Sequence, residues 1–96
     1  AIPNPSFFGY SSSAYLLLRV DYGKLESICE QLARFENVHL VVKLLNGYDL
    51  IVGVHFETPE ILYNFIRERV ARIEGINQTE TLVRAEVRKR LASILR

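Results

Sequence analysis

At 96 residues the chain is one small domain, long enough for a single hydrophobic core and too short for two. Hydrophobic residues make up 49% and charged residues 24%, as in an ordinary globular chain, and a net charge of +1 leaves no electrostatic case for nucleic-acid binding. The single Cys29 excludes an internal disulfide; with neither a membrane-length apolar run nor a signal-peptide pattern, a cytoplasmic location is expected.

The opening "AIPNPSFFGYSSSA" is rich in proline and serine and reads as an extended hinge or linker arm over residues 1–13. Phe7, Phe8 and Tyr10 are too apolar for a free tail and should pack on something. Residues 14–96 are expected to form the folded domain. "AYLLLRV", from Ala14 to Val20, predicts a first strand. Asp21 can cap a helix whose apolar positions Leu25, Ile28, Cys29 and Leu32 follow helical spacing, which makes Cys29 a small core residue rather than a reactive thiol.

"VHLVVKLL" (Val38 to Leu45) and "LIVGVHF" (Leu50 to Phe56) are β-rich runs joined across Asn46-Gly47, a strong hairpin signal. "TPE" then announces a helix: Thr58 accepts from a free amide, Pro59 fits the first position and Glu60 complements the positive helix end. Its buried stripe should be Ile61, Leu62, Phe65, Ile66, Val70 and Ile73, with Gly75 as the stop. "QTETLVR" (Gln78 to Arg84) predicts the last strand, and "AEVRKRLASILR" a terminal helix with Val87, Leu91, Ile94 and Leu95 on one face. The basic cluster "RAEVRKR" within it reads as a solvated face.

The order βαββαβ plus a terminal helix predicts an α+β, ferredoxin-like fold, with four antiparallel strands and two helices on one sheet face. Splitting each strand by side-chain parity gives one wholly apolar face for the helices. The other face is expected to carry Tyr15, Leu17, Val41, Leu45, Ile51 and Val83, an unusually large patch to leave in water. Each such side chain gains about 1.5–3 kcal/mol on full burial, so a second copy is expected to cover that face, giving a homodimer of the α+β barrel type. The alternative is the terminal helix folding back over the face.

Chemistry has few candidates. His39 and His55 lie in neighbouring strands, but a metal site needs further ligands that the sequence does not nominate. No phosphate loop, metal-spaced cysteine set or nucleophile elbow is present, so no catalytic residue, metal or cofactor is assigned, and Asn77-Gln78-Thr79 is a chance glycosylation sequon. The polar clusters "NGYD" and "QTETL" hold the candidate ligand-binding residues Asn46, Gly47, Tyr48, Asp49, Thr79 and Thr81. Asp49 offers an acid for an ammonium, the two threonines offer hydroxyls from one face, and Gly47 leaves backbone groups accessible, as an amino-acid zwitterion requires. Each has a structural alternative: Asp49 stabilising its own turn, and threonine as a favoured strand residue.

The stretch "ENVHLVVKLLNGYDLIVGVHFETPEILYNFIRERVARIEGINQTETLV" resembles the effector-binding domain of Lrp/AsnC (feast/famine) transcriptional regulators. "ENV", "NGYD" and "EGINQTET" match the family's strand start, its Gly-x-x-Asp turn and its Gly-Val-x-x-Thr-x-Thr run into the last strand; "NPSFFGYSSSAYLLLRV" resembles its hinge strand. One residue separates Gly47 from Asp49, where the family usually has two. The resemblance implies the same fold, a face-to-face dimer, higher assembly of dimers, and a small-molecule effector, usually an amino acid, held between dimers. It places Asp49 at the turn acid and Thr79 and Thr81 at the Thr-x-Thr pair.

DNA would then be reached only through a helix-turn-helix domain absent from these residues, with a stand-alone effector domain as the alternative. Two rival readings remain: an oligomerisation module without a ligand, and a tetrapyrrole-acting enzyme related to sirohaem decarboxylases, for which catalytic groups are scarce. The leading expectation is therefore a non-enzymatic regulatory module.

Overall fold

The structure, a computed structural model, describes residues 12–83. The aromatic arm residues and the expected terminal helix lie outside the described residues. Within them, β1 (Ser12–Val20) is followed by a 3-10 turn (Tyr22–Lys24) and α1 (Leu25–Ala33). Then come β2 (Val38–Lys43), β3 (Leu50–Phe56), α2 (Pro59–Phe65), a π turn (Ile66–Val70) and β4 (Ile76–Val83). The strands form one antiparallel sheet in the order β2-β3-β1-β4, the ferredoxin-like arrangement. β1 begins at Ser12, so it takes up the last two residues given to the arm.

Strict alternation along β1 and β3 builds the core. Ala14, Leu16, Leu18 and Val20 are buried beside Leu50, Val52, Val54 and Phe56, and Ile28 and Leu32 of α1 with Leu62 of α2 close over them. Val70 and Ile73 complete the cluster, against which Leu25, Cys29, Phe65 and Ile66 pack. Burial raises the Cys29 thiol above its ordinary range, as suits a packing role. None of the helices among the described residues is long and apolar enough to cross a membrane.

The two helix starts differ in how far they follow the sequence. Asp21 does not cap α1 with its side chain; its Oδ1 instead accepts from Asn77 Nδ2 at 2.9 Å, and the chain makes the 3-10 turn through Gly23 before the helix begins. α2 starts as its residues dictate: Thr58 Oγ1 accepts the Ile61 amide at 3.2 Å, with Pro59 in the first turn. The helix then widens, the Ala71 amide donating to Ile66 O at 2.8 Å in the π turn. Leu62 and Val70 both reach the core, whereas Ile61, expected in the stripe, is 47% exposed.

The largest correction concerns the second sheet face. Val38 pairs with Val54 but Leu40 with Gly53, so His39 is an extra residue, a β-bulge that inverts the parity of the rest of β2. Val41 therefore turns to the helix side, opposite Val52, and Lys43 lies on that side and pairs with Glu26 of α1. Leu40 and Val42 turn outward, 37% and 39% exposed. In β4 the pairing Ala14–Val83 and Tyr15–Leu82 puts Val83 on the helix side and Leu82, 49% exposed, on the outer one. Leu45 lies in the turn rather than in β2. The outer face is apolar as expected, through Tyr15, Leu17, Leu40, Val42, Ile51 and Leu82.

Thr58→Ala removes the acceptor for the first free amide of α2; the stability measured by urea unfolding should fall by about 1 kcal/mol with the fold unchanged.

Candidate functional site

One end of the sheet gathers the β2–β3 turn, the end of β1 and the start of β4. The turn spans residues 44–49 and reverses through Gly47 at φ 76°, in the left-handed region that glycine enters without strain. Space around Gly47 is open, with nothing within 4 Å of where a Cβ would stand.

Asp49 fastens this turn. Its carbonyl accepts the Leu44 amide at 2.9 Å, closing the hairpin, and its own amide donates to Leu18 O at 2.8 Å. Its carboxylate Oδ2 accepts the Val20 amide at 2.8 Å. Val20 needs such a partner because the β1–β4 pairing shifts register between Arg19 and Val20. A half-buried carboxylate thus bonds a strand amide at an irregularity in the ladder.

Arg19 supplies the second tie. Its Nη1 donates to Gly47 O at 2.6 Å, its Nε donates to Gln78 Oε1 at 3.1 Å, and its guanidinium stacks 4.6 Å from the Tyr48 ring centroid. Tyr48 in turn donates its hydroxyl to the Glu80 carboxylate, which holds the phenol above its ordinary pKa range. The turn is therefore joined to β4 by two side-chain bridges, one through Arg19 and one through Tyr48.

Of the expected ligand residues, Asn46 and Gly47 are exposed, and Tyr48 and Asp49 are half-buried. Thr79 and Thr81 do share a face: they pair with Leu18 and Leu16, which places them on the helix side of β4, Thr79 half-buried and Thr81 exposed. Tyr48 and Arg19 instead meet β4 through Glu80 and Gln78, on the outer side. Arg19, Gln78 and Glu80 escaped the sequence reading. Arg19 carried a signal, being the lone charge in "AYLLLRV" and falling on the outward parity.

At Gly47 the turn is open rather than enclosed. A groove of about 680 Å³ lies elsewhere, lined by Thr58, Pro59, Glu60, Ile61, Tyr63 and Asn64. Another of about 350 Å³ runs along Ala33 and residues 38–41. Neither includes a turn or β4 residue. No cluster of three or more potential metal ligands occurs among the described residues. His39 and His55 stack with planes 26° from parallel and centroids 4.1 Å apart, so their rings lie side by side instead of converging on a common ion.

Comparison with known proteins agrees with this architecture. The family model described as the Lrp/AsnC ligand binding domain matches residues 13–94. The HTH-type transcriptional regulator FL11 of Pyrococcus furiosus is 30% identical over 89 residues, covering 93% of this chain and 58% of that protein. The chain thus spans less than two thirds of the length of the curated relatives it matches first. Among solved structures, E. coli AsnC superposes with a TM-score of 0.84 at 16% identity, over 94% of this chain and 61% of the other. The Neisseria meningitidis regulator NMB0573, solved as a complex with L-Met, superposes with a TM-score of 0.83 at 12% identity, over 94% and 60%. The matched residues take in both helices and all of the described sheet but Ser12, and the chain belongs to the Lrp/AsnC ligand-binding domain family.

Proposed function

We propose that this chain is the effector-sensing and assembly domain of a transcriptional regulator. It binds a small molecule, most simply an amino acid, at the surface formed by Asn46, Gly47, Tyr48 and Asp49 of the turn with Thr79 and Thr81 of β4. The observation that carries this reading is the family match over residues 13–94. Relatives named as HTH-type regulators and a shared fold with a regulator solved with L-Met support it further. DNA is contacted through a helix-turn-helix domain of the parent protein.

Two copies pair through the outer sheet face. Tyr15, Leu17, Leu40, Val42, Ile51 and Leu82 supply apolar area that α1 and α2, packed on the opposite face, do not cover. Because space around Gly47 is open, a second subunit is needed to wall in a ligand there. Effector binding then acts by favouring one assembly over another, and the shift is limited to the effector's difference in affinity between them.

A second reading, assembly without a ligand, draws on one specific observation: the Asp49 carboxylate and the Arg19 guanidinium already bond within the chain. A thermal-shift screen against the amino acids separates the two. An effector at 100 times its dissociation constant adds about 2.7 kcal/mol, whereas silence across all amino acids favours assembly alone.

Asp49→Asn keeps an oxygen to accept the Val20 amide but loses the charge an ammonium would seek, so it should fold and dimerise normally while the response to the effector in light scattering disappears. An unchanged response would remove Asp49 from the site. Val42→Glu combined with Leu82→Glu puts charge on the outer face; sedimentation should show a folded monomer at concentrations where the parent chain is a dimer.

A further inference from the structure

An amino acid carries a charge of each sign a few atoms apart, and the base of the β2–β3 turn presents the opposite pair. Continuing the β1–β3 register one step beyond Leu18–Leu50 sets Arg19 opposite Asp49. Acid and base thus stand on neighbouring strands, yet they are not paired with each other. Asp49 Oδ2 accepts the Val20 amide, while Arg19 donates to Gly47 O and Gln78 Oε1. None of the ion pairs among the described residues includes either group.

Arg19 is exposed, but its guanidinium is held in one orientation. The turn takes Nη1 at 2.6 Å through Gly47 O, β4 takes Nε at 3.1 Å through Gln78 Oε1, and the Tyr48 ring lies against its flat face. Both acceptors are neutral, so the positive charge is not cancelled. The nearby Glu80 carboxylate accepts the Tyr48 hydroxyl instead. A guanidinium has more N–H donors than these two bonds use, and those of Nη2 meet no acceptor among the described residues.

Thr79 and Thr81 pair with Leu18 and Leu16 on the helix side of β4, whereas Arg19 meets Gln78 on the outer side. Hydroxyl donors and guanidinium therefore serve different sides of the strand. The space at Gly47, where nothing stands within 4 Å of an added Cβ, lies beside the guanidinium.

We propose that Arg19 anchors the carboxylate of the effector beside Asp49, which takes the ammonium, so that the turn selects molecules with a free α-carboxylate. This rests on the reading above that an amino acid binds at this turn. A guanidinium and a carboxylate form charge-assisted hydrogen bonds, and a side chain already held in place loses little further freedom when it makes them. A ligand amide keeps the shape but offers no negative charge, and its ammonium leaves it a net cation that Arg19 repels.

The test changes each side of the contact in turn. The common L-amino acids are screened by thermal shift on the whole chain, and each that stabilises it is titrated by calorimetry beside its C-terminal amide and its α-hydroxy acid. The parent chain should bind the amide at least 10-fold or so more weakly than the amino acid, and Arg19→Gln should bring that ratio below about threefold. The ratio of amino acid to α-hydroxy acid, which reads the ammonium end, should differ by less than about threefold between the two chains. Where Arg19→Gln does not fold, Arg19→Met, which keeps an apolar stem, replaces it. A parent chain that binds acid and amide alike, or a variant that loses both in equal proportion, overturns the anchor; Arg19 is then a tie of the turn, and the effector reading stands. No stabilisation by any amino acid overturns the effector reading, and this inference with it.

Discussion

A four-stranded sheet has two faces, and α1 and α2 occupy one of them. That constraint organises everything else. β1 and β3 are the central strands, and their alternate residues from Ala14 to Val20 and from Leu50 to Phe56 are buried under α1 and α2. Among the described residues, no helix lies over the intervening positions. Tyr15, Leu17 and Ile51 are half-buried among their neighbours, while Leu40, Val42 and Leu82 stand out into solvent. Those residues are paired across strands and form a continuous apolar surface. In a member of a ligand-binding family, a second copy there would join the recognition of a small molecule to assembly.

The two ends of this face differ in chemistry. Near the turn, polar side chains satisfy one another: Arg19 with Gly47 and Gln78, and Tyr48 with Glu80. Asp49 belongs to the same construction from inside, since it bonds the Val20 amide where the β1–β4 ladder loses register. This answers part of what an acid does in such a turn. It is first an acceptor for its own sheet, and any ligand must take its remaining capacity. At the other end stand the stacked histidines, with Ser13, Tyr15 and Leu40 beside them. Burial, and after it the charge of His55, lowers the pKa of His39 from its ordinary value.

Most of the fold was legible because the periodicities were clean. Leu25, Ile28, Cys29 and Leu32 announced α1, Thr58-Pro59-Glu60 announced α2, and alternation in β1 and β3 picked out the core. Parity failed in β2 because it counts residues and cannot register an extra one. The clue lay on the neighbouring strand, in Gly53, an interior glycine over which another side chain can lie. The error moved Val41 and Leu40 to opposite faces yet left the apolar character of the outer face intact, since "VHLVV" is apolar in either register. Of the site, the turn and its acid were visible as a motif. Arg19 and Glu80 were not, because their meeting with the turn depends on β1 lying between β3 and β4, a tertiary fact that local spacing does not encode.

The bulge at His39 has one more consequence. β2 is an outer strand of the described sheet, and no described strand pairs with its far edge, the kind of edge that can recruit foreign strands into fibrils. An inserted residue kinks that edge and breaks the even spacing an incoming strand would need to match. Contact between copies is thereby discouraged along the rim of the sheet, leaving its broad side as the better place to meet.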